Sequence, residues 1–139
     1  MEIYIAQSDR QIADCYPVMS LLRPHLLEEE FVSRVRAQQS AGYQLAVAGR
    51  EGETVAVAGF RVSENLAWGR FLYVDDLVTA QQHRSQGVGR ELLGWLREYA
   101  ASRGCREVHL DSGMQRQSAH RFYLREGMDR AGYHFAQTL

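Results

Sequence analysis

Three groups of residues have types and spacings that could do chemistry. In His83-Arg84-Ser85-Gln86-Gly87-Val88-Gly89-Arg90, two glycines stand where a β-like run gives way to an amphipathic helix. A helix start leaves backbone N–H groups without partners and carries partial positive charge, so it attracts phosphate. Glycines there let a ligand approach the backbone. Two nucleotide-binding patterns fail on the letters. A dinucleotide fingerprint would need a third glycine where Leu92 stands, and a P-loop would need Gly-Lys-Ser/Thr, which is absent. The second group is Asp75-Asp76, two carboxylates in the middle of an otherwise apolar run. On a regular strand, adjacent side chains point to opposite faces, so one of the two is expected in a cleft and the other behind it. The third is Tyr123, which shares one helical face with Ala119 and Phe122.

Other reactive residue types show no arrangement. His25, His83, His109, His120 and His134 lack metal-ligand spacing, so no metal is expected. Cys15 and Cys105 are far apart and fall on apolar faces, which suits free thiols in a reducing compartment rather than nucleophiles.

The elements that must position these groups follow from periodicity. Ile3 and Ile5 suggest a first strand over 2–6, and Ser8 is a candidate N-cap for a helix carrying Ile12, Cys15, Met19 and Leu22. Pro17 should kink or split that helix. Residues 28–40 suit an exposed second helix. Runs over 43–49 and 54–62 read as a hairpin turned by Arg50-Glu51-Gly52-Glu53, and a third run covers 68–79. Val88, Leu92, Leu96 and Tyr99 repeat at helical spacing until Gly104, a natural stop. A strand over 105–111 and a short helix over 117–126 follow, then a tail (128–138) expected to form a further strand pair around Gly132. Hairpins combined with one crossover helix imply an α/β fold with a mixed, mostly antiparallel sheet flanked by helices.

The motifs resemble those of the GCN5-related N-acetyltransferase family. Arg84, Gly87 and Gly89 supply R-x-x-G-x-G, and the flanks Leu72–Val78 and Arg90–Leu93 look like that family's fourth strand and third helix. Ala119-His120-Arg121-Phe122-Tyr123-Leu124-Arg125-Glu126-Gly127-Met128 is similar to its A-x-x-[FL]-Y-x-x-x-G-[FM] signature. The resemblance implies acetyl-CoA as cosubstrate. Arg84, Ser85, Gln86, Gly87, Val88, Gly89 and Arg90 would cradle its pyrophosphate, and Leu77, Val78 and Thr79 would pair with its pantetheine arm. It also implies Tyr123 as the acid that protonates the leaving thiolate. An acidic residue often precedes the Leu-Val pair, which favours Asp76 as the base; Asp75 or a water chain are the alternatives. The loop Leu22-Arg23-Pro24-His25 would rim the acceptor site, where Arg23 and His25 could hold an anionic group. The sequence departs from the family at Arg116, where many members have Asn. Its C-terminal third resembles the aminoalkylphosphonate N-acetyltransferase branch, which implies a hint to the substrate.

Composition bounds the rest. A chain of 139 residues, 45% hydrophobic and 24% charged, suits one domain spanning 1–139. A formal charge of -1 gives no basic excess for nucleic acid. No apolar run approaches the roughly 20 residues of a membrane helix, and MEIYIAQSDR is unlike a signal peptide. The expectation is therefore a cytoplasmic N-acetyltransferase acting on a small-molecule primary amine by direct attack in a ternary complex. The alternatives are a non-catalytic acyl-CoA-binding regulatory module and a protein or peptide N-acetyltransferase. An open sheet edge near the C-terminus suggests a homodimer.

Overall fold

The computed structural model describes residues 1–139, in two compact units, Met1–His109 and Leu110–Leu139. The first unit opens with β1 (Glu2–Ile5), α1 (Asp9–Ala13), α2 (Tyr16–Leu22) and α3 (Glu28–Gln39). Ser8 caps α1 in a full capping box with Gln11, and Pro17 at the start of α2 separates the two helices. The strands β2 (Gln44–Arg50), β3 (Glu53–Asn65) and β4 (Gly69–Thr79) follow as a meander. Glu51 and Gly52 alone turn the first corner, with Arg50 opposite Glu53. Helix α4 (Val88–Ser102) then crosses to β5 (Glu107–Leu110), giving one sheet in the order β1-β2-β3-β4-β5. The first three pairings are antiparallel. The crossover helix returns β5 alongside β4 in the parallel sense, so the sheet is mixed.

Helices cover both faces of this sheet. Ile12, Cys15, Val18, Met19, Phe31 and Val35 from α1–α3 pack on Leu45, Val47, Val57 and Val78. On the opposite face α4 buries Val88, Leu92, Leu93, Leu96 and Ala100, and Phe60 meets Trp95 and Tyr99 edge-on. Small residues alternate with large ones along β2 (Ala46 and Ala48 against Leu45 and Val47), so α4 can lie close to the strands. Each fully buried Leu of α4 contributes about 1.5–3 kcal/mol.

The second unit carries α5 (Gln117–Arg125), which stops at Gly127. The strand pair expected over 128–138 does not form. Residues 128–139 contain no helix or strand, and Tyr133, Phe135 and Leu139 stand exposed. Their alternation is strand-like, but a strand exists only where a neighbour takes up its backbone N–H and C=O groups. The sheet ends at β5 without adding this segment.

Candidate active site

In the first unit, the end of β4 and the start of α4 meet at the glycine turn. Gly87 is the N-cap of α4 and has φ +81°, a conformation that L side chains rarely adopt. No side-chain hydrogen bond caps this helix at Gly87, so the amide N–H groups of Val88 and Gly89 can serve an external acceptor. A Cβ built on Gly87 would enter open space, which leaves room for a ligand against the backbone. Ser85 is also left-handed, at φ +63°, and Val88 anchors the turn by burying its side chain. Around the turn, Arg84 folds back so that its Nε donates to the Thr79 carbonyl at 3.4 Å. Gln86 donates to the Gln82 carbonyl and accepts from Arg50 at 3.2 Å. Gly89 and Arg90 belong to the first turn of α4 itself. A pyrophosphate fits a long, uncapped helix start of this kind.

The strand leading into the turn has an open edge. Arg106 N–H donates to the Arg70 carbonyl at 2.8 Å, which fixes where β5 begins along β4. A four-residue parallel strand starting there runs out before Leu77. Leu77, Val78 and Thr79 therefore pair with β3 on one side, opposite Ala58, Val57 and Ala56, and with no strand on the other. An extended, amide-bearing arm can add to such an edge.

Just before this segment the ladder breaks. Gly59 faces Asp76 and Phe60 faces Val74, so Asp75 is the extra residue of a β-bulge. This overturns the expectation that Asp75 and Asp76 point to opposite faces. Both carboxylates reach partners on the face covered by α1–α3, because the inserted residue cancels the alternation. Asp75 takes two bonds from Arg61, the shorter 2.7 Å from Nη2 to Oδ2. Asp76 accepts Arg23 Nε at 2.8 Å on Oδ1 and the Tyr43 hydroxyl at 2.8 Å on Oδ2. Arg23, the C-cap of α2, also donates Nη2 to the Asp75 carbonyl at 3.0 Å. Arg61 lies over the Tyr43 ring, 5.5 Å from its centroid. Tyr43 is buried. Burial first, then the charge and hydrogen bond of Asp76, push its pKa far above the ordinary tyrosine value, so it is a fixed donor. Gly59 makes this arrangement possible: a Cβ there would fall on the Tyr43 hydroxyl and 2.5 Å from Asp76 Oδ2.

Tyr43, Arg61 and Gly59 are the participants that the sequence did not single out. Gly59 alone gave a signal, as an isolated glycine inside an apolar strand. Of the rim candidates, Arg23 is engaged with the acid pair, whereas His25 is exposed in the turn after α2. His109 stacks on Trp68 and bonds to Glu107 at 2.6 Å, the satisfied state that is commonest for such a residue. Cys15 is buried, and desolvation pushes its thiol up to about 12, which makes it a poor nucleophile.

In the second unit Tyr123 is half-buried on α5, beside Phe122 at 5.4 Å between ring centroids. Burial raises its pKa above the ordinary 10.0, while the charge and hydrogen bond of Arg116 pull it down. The net shift is upward, so the phenol keeps its proton at neutral pH. Arg116, the residue that departs from the family pattern, is the N-cap of α5 and reaches the phenol two turns later.

Comparison with known proteins gives a consistent context. Residues 10–128 match the acetyltransferase (GNAT) family, a span that takes in most of both compact units. An uncharacterized N-acetyltransferase of Bacillus subtilis is 36% identical over 117 residues, covering 84% of this chain and 82% of its own. The aminoalkylphosphonate N-acetyltransferase of Salmonella typhimurium is 33% identical over 98 residues, covering 70% of this chain and 62% of its own. Among solved structures, the aminoglycoside N-acetyltransferase AAC(6')-Iy, crystallised with CoA, shares the fold with a TM-score of 0.84. It covers 99% of this chain and 95% of its own at 12% identity.

Proposed function

We propose a specific reaction from a firm premise: the chain belongs to the acetyltransferase (GNAT) family and is an acetyl-CoA-dependent acyltransferase. The reaction is transfer of the acetyl group to a primary amine of a small molecule, by direct attack of the amine on the thioester within a ternary complex. The observation that carries this reading is the meeting of an uncapped α4 start with an open β4 edge, at a left-handed Gly87. The backbone N–H groups of residues 85–90 would hold the pyrophosphate, with Arg84 buttressing the turn through the Thr79 carbonyl. Leu77, Val78 and Thr79 would pair with the pantetheine amides and lay the thioester along the strand.

Between ammonium and amide the attacking nitrogen must lose two protons, and the departing CoA thiolate must gain one, so one proton is released overall. Asp76 is the proposed acceptor, directly or through water, because it stands one residue before the pantetheine-binding segment. Tyr123 is the proposed donor. Its phenol is neutral and a weaker acid than a cysteine-like thiol, with a pKa of about 8.5, so it donates a hydrogen bond to the sulfur as the C–S bond breaks and regains from water any proton it hands over. The CoA bound to AAC(6')-Iy supports the cosubstrate, and the aminoalkylphosphonate relative supports a small amine acceptor. The same reading takes residues 1–139 as one functional acetyltransferase domain that works in the cytoplasm as a homodimer. The free thiols of Cys15 and Cys105 suit a reducing compartment.

The test is thiol release from acetyl-CoA in the presence of aminophosphonates, amino acids, polyamines and aminoglycosides. Release that depends on one of these amines supports the reading. Thiol release with no dependence on any amine overturns it.

A further inference from the structure

We infer that Arg23, clamped by the Asp75–Asp76 bulge, is the anion anchor of the acceptor site and selects small amines that carry an anionic group. The inference rests on the acetyl-transfer reading above, and it names the acceptor class and the residue that chooses it.

A guanidinium has five N–H donors in a fixed plane. Two of those in Arg23 are used, Nε–H on Asp76 Oδ1 at 2.8 Å and one Nη2–H on the Asp75 carbonyl at 3.0 Å. These two bonds fix both the position and the plane of the group. The remaining three N–H have no protein partner, and the side chain is 43% exposed, whereas that of Asp76 is only 13% exposed. The clamp is itself held from behind. Tyr43 occupies the other oxygen of Asp76, Arg61 holds Asp75, and Gly59 leaves room for the phenol. A preorganised cation with spare donors is suited to bidentate recognition of phosphonate or carboxylate.

Position adds the second half of the case. The clamp closes on residues 75 and 76, immediately before the Leu77–Thr79 edge on which the pantetheine arm is proposed to lie. The exposed donors thus stand near the acyl-bearing end of that arm. There they form an adjacent cation and anion, Arg23 and Asp76, 2.8 Å apart. A zwitterion whose amine and anionic group are one or two carbons apart complements such a pair: the anion on Arg23, the ammonium by Asp76. The geometry serves phosphonates and carboxylates alike, so the experiment must separate them.

Acceptors matched in carbon chain give the cleanest test: 2-aminoethylphosphonate, β-alanine and ethylamine. The quantity read is the ratio of kcat/KM for each anionic amine to that for ethylamine. The wild-type protein should prefer an anionic amine, and Arg23→Ala should reduce that ratio roughly tenfold to a hundredfold, the range for a charge-assisted hydrogen bond. Arg23→Lys keeps the charge but not the planar fork, so it should restore only part of the ratio. Whichever of phosphonate or carboxylate loses more identifies the group that Arg23 holds. A ratio unchanged in Arg23→Ala, with ethylamine still acetylated, overturns the anchor and leaves the acetyl-transfer reading standing. If the wild-type protein acetylates no amine, that reading falls and the anchor falls with it.

Discussion

At the residue scale, the proposed chemistry turns on one phenol and one carboxylate, each set by its neighbours. Tyr123 is pulled two ways: burial raises its pKa and Arg116 lowers it, with burial the larger. If it is the acid, Tyr123→Phe keeps the ring but removes the proton, so kcat should fall by about 10²–10⁴-fold. KM for acetyl-CoA should change far less, because the lost interaction belongs to the transition state. Steady-state kinetics checks this, and a kcat reduced less than about threefold would mark Tyr123 as a packing aromatic. The sign of the pH dependence follows from the same neighbours. An acid is active below its pKa, so the alkaline limb assigned to Tyr123 should lie above that of an ordinary tyrosine. Arg116→Ala removes the lowering influence and should move that alkaline limb further up, as a pH–kcat profile will show. An unmoved limb would mean that Arg116 does not act on Tyr123. Both Tyr123 and the departure at Arg116 were legible in the letters. Their coupling was not, because a side-chain bond across two helical turns has no signature in spacing alone.

At the element scale, the glycine turn and the β4 bulge are the proposed positioning devices, and they differed in how far they could be read beforehand. The place of the turn at the start of α4 was legible because two glycines stood where a β-like run gave way to helical spacing, and its N–H groups are proposed to hold phosphate. Gly89→Val should therefore weaken acetyl-CoA binding tenfold or more, about 1.4 kcal/mol, in a protein that remains folded. Calorimetry giving unchanged affinity would contradict the pyrophosphate assignment. The bulge was not legible, since it depends on register between β3 and β4, and register is a property of the pair. The alternation argument for Asp75 and Asp76 failed for that reason. The tail failed for a related one: Tyr133 and Phe135 have a strand-like period, but no adjacent strand takes them up. The bulge also makes a stability prediction. Gly59→Ala drives a methyl into Tyr43 and Asp76 and should cost about 1–3 kcal/mol in urea unfolding. Tyr43→Phe alone should cost a similar amount by leaving Asp76 Oδ2 without its donor. Because the two changes act on one contact, the double variant should lose less than their sum. Strict additivity would mean that Gly59 does not serve the Tyr43–Asp76 bond.

At the scale of the whole molecule, a five-stranded sheet with helices on both faces holds the proposed cofactor edge and the acid pair in one unit, Met1–His109, while Tyr123 is carried by the other. The exposed Tyr133, Phe135 and Leu139 give the C-terminal segment an apolar surface that a second copy could cover. Light scattering at tens of micromolar should therefore give twice the monomer mass, and removal of residues 128–139 should return a monomer. A full-length monomer would refute the dimer. The central claim is direct acetyl transfer from acetyl-CoA to an amine while both are bound. Initial rates of CoA thiol release, measured while acetyl-CoA and the best amine are varied together, test it most directly. Intersecting double-reciprocal lines, with no burst of thiol before amine is added, are predicted. Parallel lines with a stoichiometric burst would mean that the acetyl group passes through the enzyme first, and would contradict the account.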